Sequence, residues 1–573
     1  MIKMIIKSNT LWLMLFLITG GFISLLTKYE LLWDFANYHY YNPWAFLNDR
    51  LMYDIIPAGV NTFLNPLVDI PLYLLIQNFN DYPNFITFLQ GMWSGAAAFA
   101  FWLFVKNYFN ISDIKGLSLA ILALAIGITS WAFFMQIGTS TNEMKMVLLV
   151  MLAYTILVKQ IKQETSGKYA AFFLSGFLLG LAAGLKLTAI IYCVSGGLTL
   201  IMCAKYFKPF HKLLGMFVLG GLIGFLLTNG FWMWRMWDTF GNPIYPFLNN
   251  IFKSEWFGEY SFRDVKYLPT TFAQALFYPF YIMLGIIRGE GKGMIIMDFR
   301  NLFMMIIFYC FVIYQIIHFI RFKKFKISTP VNTFLWVLWF ASYTVWLLLF
   351  SIQRYATQIF MLEAIIFVQT CIFLYPKQGN FKFIIYTSVS VWILYSLLFT
   401  PHYSNHWGNH ISKYPTRSLA FAEIWPELDD SVKRVKNYGD FTKFFDVEDI
   451  HLPDNTLLQM YYMPSSAMLP VLNKHSNVRG ISLHFDGYAT ENNTFSDGKW
   501  LQLKEDIIKN HKGPKAIMLI NTSQVQKNDI FYKYAKSQGM QCHIIANNVI
   551  EWVLCVPKKY VKSVFTEKKH EKK

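Results

Sequence analysis

The stretch "SNTLWLMLFLITGGFISLLTKYELLWDFANYHYYNPWAFLNDR", residues 8–50, joins an apolar run to a segment in which one acid, Asp34, lies among aromatic rings and amides. The apolar part has the length of about 20 residues that a helix needs to cross a bilayer. A carboxylate at the edge of a membrane is costly to maintain, so it often has a function. Residues 8–50 therefore predict a membrane helix with a polar site at its end.

The composition extends this interpretation to the whole chain. Of the 573 residues, 55% are hydrophobic and 15% are charged, which is typical of a polytopic membrane protein rather than a soluble enzyme. The net charge of +17 does not indicate nucleic-acid binding, because the lysines fall in short clusters between apolar runs, as expected for cytoplasmic loops. The chain has no D-x-D triplet, which argues against binding the pyrophosphate of a nucleotide sugar through a metal ion. It also has no P-loop motif, which argues against ATP-driven transport.

Hydropathy divides residues 1–404 into about eleven membrane spans. Two further apolar runs, 63–77 and 272–287, are expected to be interfacial or re-entrant, because either one alone as a span would put basic loops outside. If both cross, the count becomes thirteen. The predicted spans lie near residues 8–27, 84–105, 116–134, 144–160, 169–185, 188–204, 213–229, 300–320, 332–350, 356–375 and 381–400.

The lysine distribution also predicts the orientation. The first apolar run looks like a signal peptide but lacks a small-residue cleavage site, so we expect it to be retained as a helix. With Lys3 and Lys7 in the cytoplasm, the basic loops lie inside and the C-terminus lies outside. The outer face then collects a first loop, 28–83, a second large loop, 230–299, and three short turns at 136–145, 184–188 and 350–355.

Hydropathy falls beyond residue 404, and short apolar runs alternate with helical patterns. Residues 405–560 are therefore predicted to form a small extracytoplasmic α/β domain, followed by a basic tail at 561–573. Within this domain, "CHIIANNVIEWVLC" predicts two strands that bring Cys542 and Cys555 together. An oxidising compartment would allow a disulfide between them.

Four short motifs carry a resemblance to a known family. They are "WDFANYHYYNPWAFLNDR" at 33–50, "PAGVNTFLNPLVDIPLY" at 57–73, "GNPIYPFLN" at 241–249 and "SIQRY" at 351–355. With the architecture of the first 400 residues, they resemble bacterial members of the GT-C superfamily of integral-membrane glycosyltransferases. The resemblance implies a sugar donor carried on polyprenyl phosphate or pyrophosphate, and an acid of the first outer loop that acts as a base or positions the acceptor.

The implied function is transfer of a sugar to a glycan, lipid or protein acceptor at the outer face of the bacterial cytoplasmic membrane. A glycolipid flippase or transporter is the alternative from another class, although the internal repeats common in transporters are not visible in this sequence. A polymerase or ligase of surface glycans would share the donor and the compartment. The sequence does not separate that activity from single-sugar transfer.

Two acids are candidate catalytic residues. Glycosyl transfer needs a base for the acceptor hydroxyl, and Asp34 in the first outer loop suits that role. The structural alternative is that Asp34 caps a helix beginning at Phe35. Glu143, in "STNEM", is the second candidate, and its alternative is an acid in the first turn of a helix.

Three cations are candidates for binding the donor phosphate, since a phosphate leaving group needs positive charge near the membrane surface. Lys186 lies between two apolar spans without a polar loop, where a lysine is expensive unless it meets an anion. Arg354 and Arg235 are the other two. Each of these two arginine side chains could instead extend to lipid head groups, an alternative that suits Arg235 better than Arg354.

The candidate residues for acceptor or sugar binding are His39, Asn37, Tyr38, Asn61 and Asn65. Amides in an otherwise apolar loop suit recognition of hydroxyl groups. Tyr38 belongs to an aromatic segment that either stacks on sugars or forms the ordinary interfacial belt. His39 either orients the acceptor or is a packing residue. No cofactor is predicted, and dependence on a divalent cation stays open.

Overall fold

The structure, a computed structural model, describes residues 8–27, 31, 33–109, 111–162, 168–259, 262, 264–284, 299–323, 329–374, 428, 442–461, 463–484, 499–520 and 525–565. A helical bundle and a domain with a five-stranded sheet make up the described chain. The helices of the bundle are α1 (Asn9–Thr27), α2 (Tyr41–Leu47), α3 (Ile70–Phe79), α4 (Pro83–Phe109), α5 (Ile114–Ile128), α6 (Trp131–Phe134), α7 (Glu143–Lys162), α8 (Tyr169–Leu185), α9 (Ile190–Met202), α10 (Phe210–Phe240), α11 (Asn249–Phe252), α12 (Phe272–Leu276), α13 (Tyr278–Met283), α14 (Phe299–Phe322), α15 (Pro330–Leu349) and α16 (Thr357–Leu374).

Ten of the eleven predicted spans coincide with helices of the bundle, and the eleventh, 381–400, lies outside the described residues. Among the described residues, seven helices are long and apolar enough to cross a membrane. The helices α5, α8 and α9 are shorter, so the total number of crossings stays a prediction. The prediction of a polytopic α-helical membrane protein is confirmed.

The two runs expected not to cross form short helices. Run 63–77 overlaps α3, which has ten residues and continues to Phe79, and run 272–287 contains α12 and α13, which have five and six residues. At 1.5 Å per residue, ten helical residues extend only about 15 Å, roughly half of the hydrocarbon thickness. These helices are therefore too short to span alone.

Glycine allows α8 and α10 to pack with their backbones in close approach. A Cβ at Gly180 would lie 2.0 Å from the carbonyl oxygen of Gly221, and a Cβ at Gly224 would lie 2.2 Å from that of Phe177. Gly176 and Gly184 continue the stripe on α8 at four-residue spacing. Small residues at this spacing are a common basis for helix association in membranes. Helix α10 ends at Gly241, whose φ of 69° gives a left-handed C-cap.

The C-terminal domain is built on one mixed sheet. Its strands, β1 (Thr456–Tyr461), β2 (Val478–His484), β3 (Lys515–Ile520), β4 (Met540–Ile545) and β5 (Trp552–Pro557), lie in the order β2-β1-β3-β5-β4. Strand β1 pairs in parallel with β2 and β3, whereas β5 pairs antiparallel with β3 and β4. Its helices are α17 (Met468–Leu472), α18 (Lys499–Asn510), α19 (Val525–Ser537) and α20 (Val561–Val564). The predicted α/β character is confirmed.

The predicted cysteine pair is also confirmed. Cys542 and Cys555 are directly opposed on β4 and β5 and form a disulfide. The first residues of the predicted tail pack on the domain, since α20 places Val564 in its core. Residues 566–573 lie outside the described residues.

The C-terminal domain docks on the first outer loop. Ile55 forms a parallel bridge with Ile481 of β2, and the backbone N–H of Gly480 donates to Asp54 Oδ1 at 2.8 Å. Asp54 also accepts from the guanidinium of Arg50 at 2.8 and 2.9 Å. The sheet therefore continues into the first outer loop.

Candidate active site

Five segments of the chain meet at one end of the helical bundle, and all five belong to the predicted outer face. The first two are a π-helical turn, Phe35–His39, that follows α1, and the residues that precede α3. The turn before α7, the link between α8 and α9, and the segment between α15 and α16 complete the set. Side-chain contacts across these segments bring their polar residues together.

Four charged side chains, Asp34, Glu143, Lys186 and Arg354, form what we call the ion-pair cluster. Arg354 Nη1 donates to Asp34 Oδ2 at 2.7 Å, and Arg354 Nε lies 3.9 Å from Glu143 Oε1. Lys186 Nζ donates to the same Glu143 oxygen. Two acids and two bases give the cluster no net formal charge. Each residue comes from a different segment, so the ion pairs also hold the segments together.

The ion-pair cluster lies in a largely dry environment. The side chain of Glu143 is 5% exposed, whereas that of Arg354 is 27% exposed, so the cluster reaches the surface on the side of Arg354. Glu143 Oε2 is buried and has no hydrogen-bond partner among the described residues. Leaving a buried oxygen unpaired is costly. A substrate hydroxyl group has the chemistry to satisfy it.

The helix-cap alternative does not hold for Asp34. Its backbone is helical, with φ −64° and ψ −39°, and its side chain makes no capping hydrogen bond to the turn that follows. The carboxylate pairs with Arg354 instead. Glu143 does lie in the first turn of α7, as its alternative expects, but its carboxylate also pairs with Lys186.

A small cavity opens beside the ion-pair cluster. Its wall contains charged groups of the cluster together with apolar side chains. The lining residues are Glu143, Met146, Lys186, Thr188, Ala189, Tyr192, Arg354, Tyr355 and Gln358.

Two tyrosine rings border the ion-pair cluster. Lys186 Nζ lies 5.5 Å from the ring centroid of Tyr355, a cation–π distance. Tyr38 is buried next to the cluster, and burial raises its pKa well above the usual value, with a further rise from the charge of Asp34. The Tyr38 hydroxyl therefore stays protonated near neutral pH, so it can donate a hydrogen bond but cannot act as a base.

A second buried network surrounds His39. Its Nδ1 lies 2.7 Å from Asp69 Oδ1, which also accepts from Asn142 Nδ2 at 2.6 Å. Lys145 Nζ donates to Asn142 Oδ1 at 2.7 Å. Asp69 orients the imidazole with Nδ1 as the donor, so Nε2 is the acceptor in the neutral ring. His39 Nε2 is buried and has no partner among the described residues.

The three predicted amides occupy different surroundings. Asn65 Nδ2 donates to the carbonyl oxygens of Gly184 and Thr228 at 3.0 and 2.9 Å, so this side chain anchors the first outer loop to the C-terminal end of α8 and to the interior of α10. Asn37 donates to the carbonyl of Ala58 at 3.3 Å, and Asn61 is buried in the short 3₁₀ helix Gly59–Phe63. Of the three, Asn37 is nearest in the chain to the ion-pair cluster.

Arg235 is not part of the ion-pair cluster. It lies on α10, where it pairs with Asp49, a residue whose side chain is 88% exposed, and packs over the ring of Phe46. These surroundings fit the alternative given above, in which the Arg235 side chain lies near the membrane surface.

Sequence reasoning did not assign roles to several residues that the structure places at the site. Asp69, Asn142 and Lys145 form the second network, and Tyr355 and Gln358 line the cavity. Lys145 offered a signal, because a lysine just inside the apolar run of α7 is costly without partners. Asp69, in "NPLVDIPLY", offered a similar one.

Comparison with known proteins supports the fold. No protein-family model matches the sequence, and no curated protein sequence matches it. The crystal structure of ArnT from Cupriavidus metallidurans bound to undecaprenyl phosphate is similar over 96% of this chain and 98% of its own, with a TM-score of 0.51 and 13% sequence identity. The apo structure of the same protein gives a TM-score of 0.47, with 12% identity over 95% of this chain and 97% of its own.

The likeness to the undecaprenyl-phosphate-bound structure extends over nearly all of both chains, including the region after the bundle. The present chain therefore shares the fold of ArnT, and the GT-C-like architecture predicted from its motifs is confirmed at the level of the fold. At 13% identity, the comparison concerns the fold and not the activity.

Proposed function

We propose that this chain is a membrane glycosyltransferase that moves a sugar from a polyprenyl-phosphate-linked donor to a cell-envelope acceptor. The observation that carries the proposal is the ion-pair cluster, which places two cations and two acids beside a cavity at one end of a GT-C fold. The binding of undecaprenyl phosphate by ArnT, which shares the fold, supports a lipid phosphate as the ligand.

Arg354 and Lys186 are proposed to hold the phosphate of the donor. Both cations are paired with carboxylates in the structure, so an incoming phosphate competes with Asp34 and Glu143 for them. Phosphate oxygens make strong charge-assisted hydrogen bonds with guanidinium and ammonium groups. The same contacts stabilise the negative charge that the lipid phosphate gains as it leaves the sugar.

Asp34 is proposed to be the base, because it is released from Arg354 when phosphate binds there. The acceptor oxygen forms a bond to the anomeric carbon, the bond from that carbon to the phosphate oxygen breaks, and the acceptor proton passes to Asp34. The products are the glycosylated acceptor and the polyprenyl phosphate. Glu143 Oε2, which is buried without a partner among the described residues, is proposed to accept a hydrogen bond from the sugar or the acceptor.

Binding of the lipid phosphate is the first test. Purified protein in lipid nanodiscs should bind undecaprenyl phosphate in native mass spectrometry, and Lys186→Ala and Arg354→Gln should each weaken binding by at least about tenfold, the loss expected for one charge-assisted contact. Arg235→Gln is the matched control, since Arg235 lies outside the ion-pair cluster. Equal binding by all four proteins would contradict the assignment of the phosphate site.

A second assay separates transfer from transport. Protein in liposomes is given a polyprenyl-phosphate-linked sugar and an envelope extract as the acceptor source. Transfer releases polyprenyl phosphate and adds the sugar mass to an acceptor, whereas a flippase moves intact donor between leaflets. Movement of the donor without any covalent product would favour the flippase and reject the enzyme. Addition of one sugar per event, rather than a whole glycan, would distinguish the transferase from a polymerase or ligase.

A further inference from the structure

Two histidines and one aspartate form a cluster on the C-terminal domain, away from the ion-pair cluster. Asp449 uses both carboxylate oxygens: Oδ2 lies 3.1 Å from His451 Nε2 and Oδ1 lies 2.9 Å from His475 Nε2. The three potential ligand atoms all lie within 4.8 Å of one another. The side chains of Asp449, His451 and His475 are 51%, 43% and 37% exposed, so the cluster is open to solvent on one side.

Hydrogen bonds of neighbouring residues also hold the two segments of this cluster in place. Asp449 and His451 precede β1, and His475 lies in the turn between α17 and β2. Asn477 N donates to Asp454 Oδ1 at 2.9 Å, and Ser476 Oγ donates to the carbonyl of Leu452. The imidazole rings stack with their centroids 4.1 Å apart at an angle of 29°. The site is therefore pre-organised from residues 26 positions apart in the chain.

From this geometry we propose that Asp449, His451 and His475 bind a divalent transition-metal ion of the zinc class. Imidazole nitrogen with one carboxylate oxygen is a donor set that suits Zn²⁺, whereas Mg²⁺ and Ca²⁺ prefer oxygen ligands alone. Three protein ligands leave a fourth position for water on the exposed side. One carboxylate and two neutral imidazoles give the donor set a formal charge of −1.

The ligand atoms need only a small rearrangement to bind an ion. Bonds of about 2.0–2.1 Å to a tetrahedral zinc ion place neighbouring ligand atoms roughly 3.3 Å apart. The aspartate–histidine separations of 2.9 and 3.1 Å are close to this value, each through a different oxygen of Asp449, and one ligand atom from each residue lies within 4.8 Å of the other two. Closing the remaining distance requires the two imidazole rings, which are partly exposed, to rotate.

The proposed metal site adjoins the contact between the C-terminal domain and the first outer loop. Asn477, two residues after His475, accepts from the Tyr53 hydroxyl at 3.2 Å, and Arg479 Nε donates to the carbonyl of Tyr53 at 2.6 Å. An ion that joins His475 to the segment 449–451 therefore restrains the turn that rests on the first outer loop. The expected role is structural, and it does not depend on the proposed glycosyl transfer.

Equilibrium dialysis of the full chain in nanodiscs, after removal of any polyhistidine tag, tests the proposal with Zn²⁺ as the probe. The wild type should bind one more zinc ion than the double variant His451→Ala/His475→Ala. His511→Ala, on the same domain but outside the cluster, should bind as much as the wild type. Equal uptake by the wild type and the double variant would overturn the proposal.

A second measurement covers the case in which the double variant fails to fold. X-ray absorption of wild-type protein loaded with one equivalent of Zn²⁺ should show two imidazole ligands, and a shell of water or lipid oxygens alone would overturn the site. Hydrogen exchange in residues 449–452 and 474–477 should slow about tenfold when free zinc is ten times its Kd, because opening the site releases the ion. Unchanged exchange in these residues at saturating zinc would reject the restraining role.

Discussion

Asp34 and Glu143 differ in how fully the protein satisfies their carboxylates. Asp34 pairs with Arg354, which is partly exposed, whereas Glu143 is deeply buried between Lys186 and Arg354 and has one oxygen without a partner in the described part of the chain. A carboxylate that is released when a phosphate binds its cation suits proton transfer. A carboxylate that stays between two cations is better suited to holding those cations in position.

Asp34→Asn tests the proposed base. Asparagine keeps the size of the side chain and an oxygen that accepts from Arg354, but it cannot take the acceptor proton. Loss of general-base catalysis is expected to lower the rate by about 10²–10⁴-fold while undecaprenyl phosphate still binds. Single-turnover transfer and native mass spectrometry measure the two effects separately. Asp49→Asn, at an exposed acid, is the control. A wild-type rate for Asp34→Asn would show that another residue is the base.

Glu143→Gln is expected to act in the opposite direction on donor binding. The neutral amide no longer competes with phosphate for Lys186 and Arg354, and the ion-pair cluster gains one unit of positive charge. The Kd for undecaprenyl phosphate should fall several-fold, and the difference should shrink at high salt if the liganded site remains open to ions. Glu255→Gln, at an exposed acid paired with Lys499, should bind like the wild type. Weaker binding by Glu143→Gln would show that Glu143 supports phosphate binding.

At the scale of elements, the close approach of α8 and α10 positions Lys186 and the polar groups that hold the first outer loop. Lys186 follows the last residue of α8, and Asn65 of the first outer loop donates to a carbonyl oxygen at the end of α8 and to one in the interior of α10. The glycine stripe therefore sets where one cation of the ion-pair cluster lies. A shift of α8 relative to α10 would move Lys186 away from Glu143.

Gly180→Ala is expected to destabilise the bundle. The added Cβ would lie 2.0 Å from the carbonyl oxygen of Gly221, so the helices must separate. Overpacking of this kind costs about 1–3 kcal/mol. Gly215→Ala is the matched control, because nothing lies within 4 Å of its Cβ position and alanine has the higher helix propensity. Thermal unfolding in nanodiscs should show a loss for Gly180→Ala only. Equal stability of the two variants would mean that the helices do not pack through this stripe.

At the scale of the whole molecule, the C-terminal domain and the first outer loop form one continuous unit around Asp54. This acid is completely buried and accepts hydrogen bonds from Arg50, Tyr41 and the backbone of Gly480. The first outer loop carries Asp34 and His39 at its start. Docking of the domain thus supports the segment that supplies the proposed base.

Asp54→Ala should loosen this docking. Removing one partner of a buried ion pair leaves the other uncompensated and costs about 3–5 kcal/mol. Hydrogen exchange in β2 and proteolysis between the bundle and the domain should both accelerate. Asp506→Ala, at an exposed position of α18, should leave both rates unchanged. Wild-type exchange in β2 of the Asp54 variant would mean that Asp54 does not hold the domain.

The side of the membrane on which this unit lies remains a prediction from the lysine distribution. A reporter active only in the cytoplasm, fused after Lys573, should stay silent because the C-terminus is expected outside. The Cys542–Cys555 disulfide is compatible with an oxidising compartment. The same reporter at the N-terminus is the positive control. A cytoplasmic signal from the C-terminal fusion would reverse the orientation and place the candidate site inside.

The sequence by itself determined the helices of the bundle, the α/β character of the C-terminal domain, the cysteine pair and the set of segments that meet at one end of the bundle. These features follow from local patterns. The hydropathy of a segment depends on that segment alone, and strand and turn signals extend over a few residues. Asp34, Glu143, Lys186 and Arg354 also stood out locally, as charges beside apolar spans.

Only the tertiary structure decided which of these residues meet. Asp34 and Arg354 are 320 positions apart, and their pairing depends on how the helices pack, which no local pattern specifies. The same packing places Arg235 away from the cluster and joins His39 to Asp69, Asn142 and Lys145. Hydropathy assigns a segment to one end of the bundle, but helix packing determines its neighbours there, and ion pairs form only between neighbours.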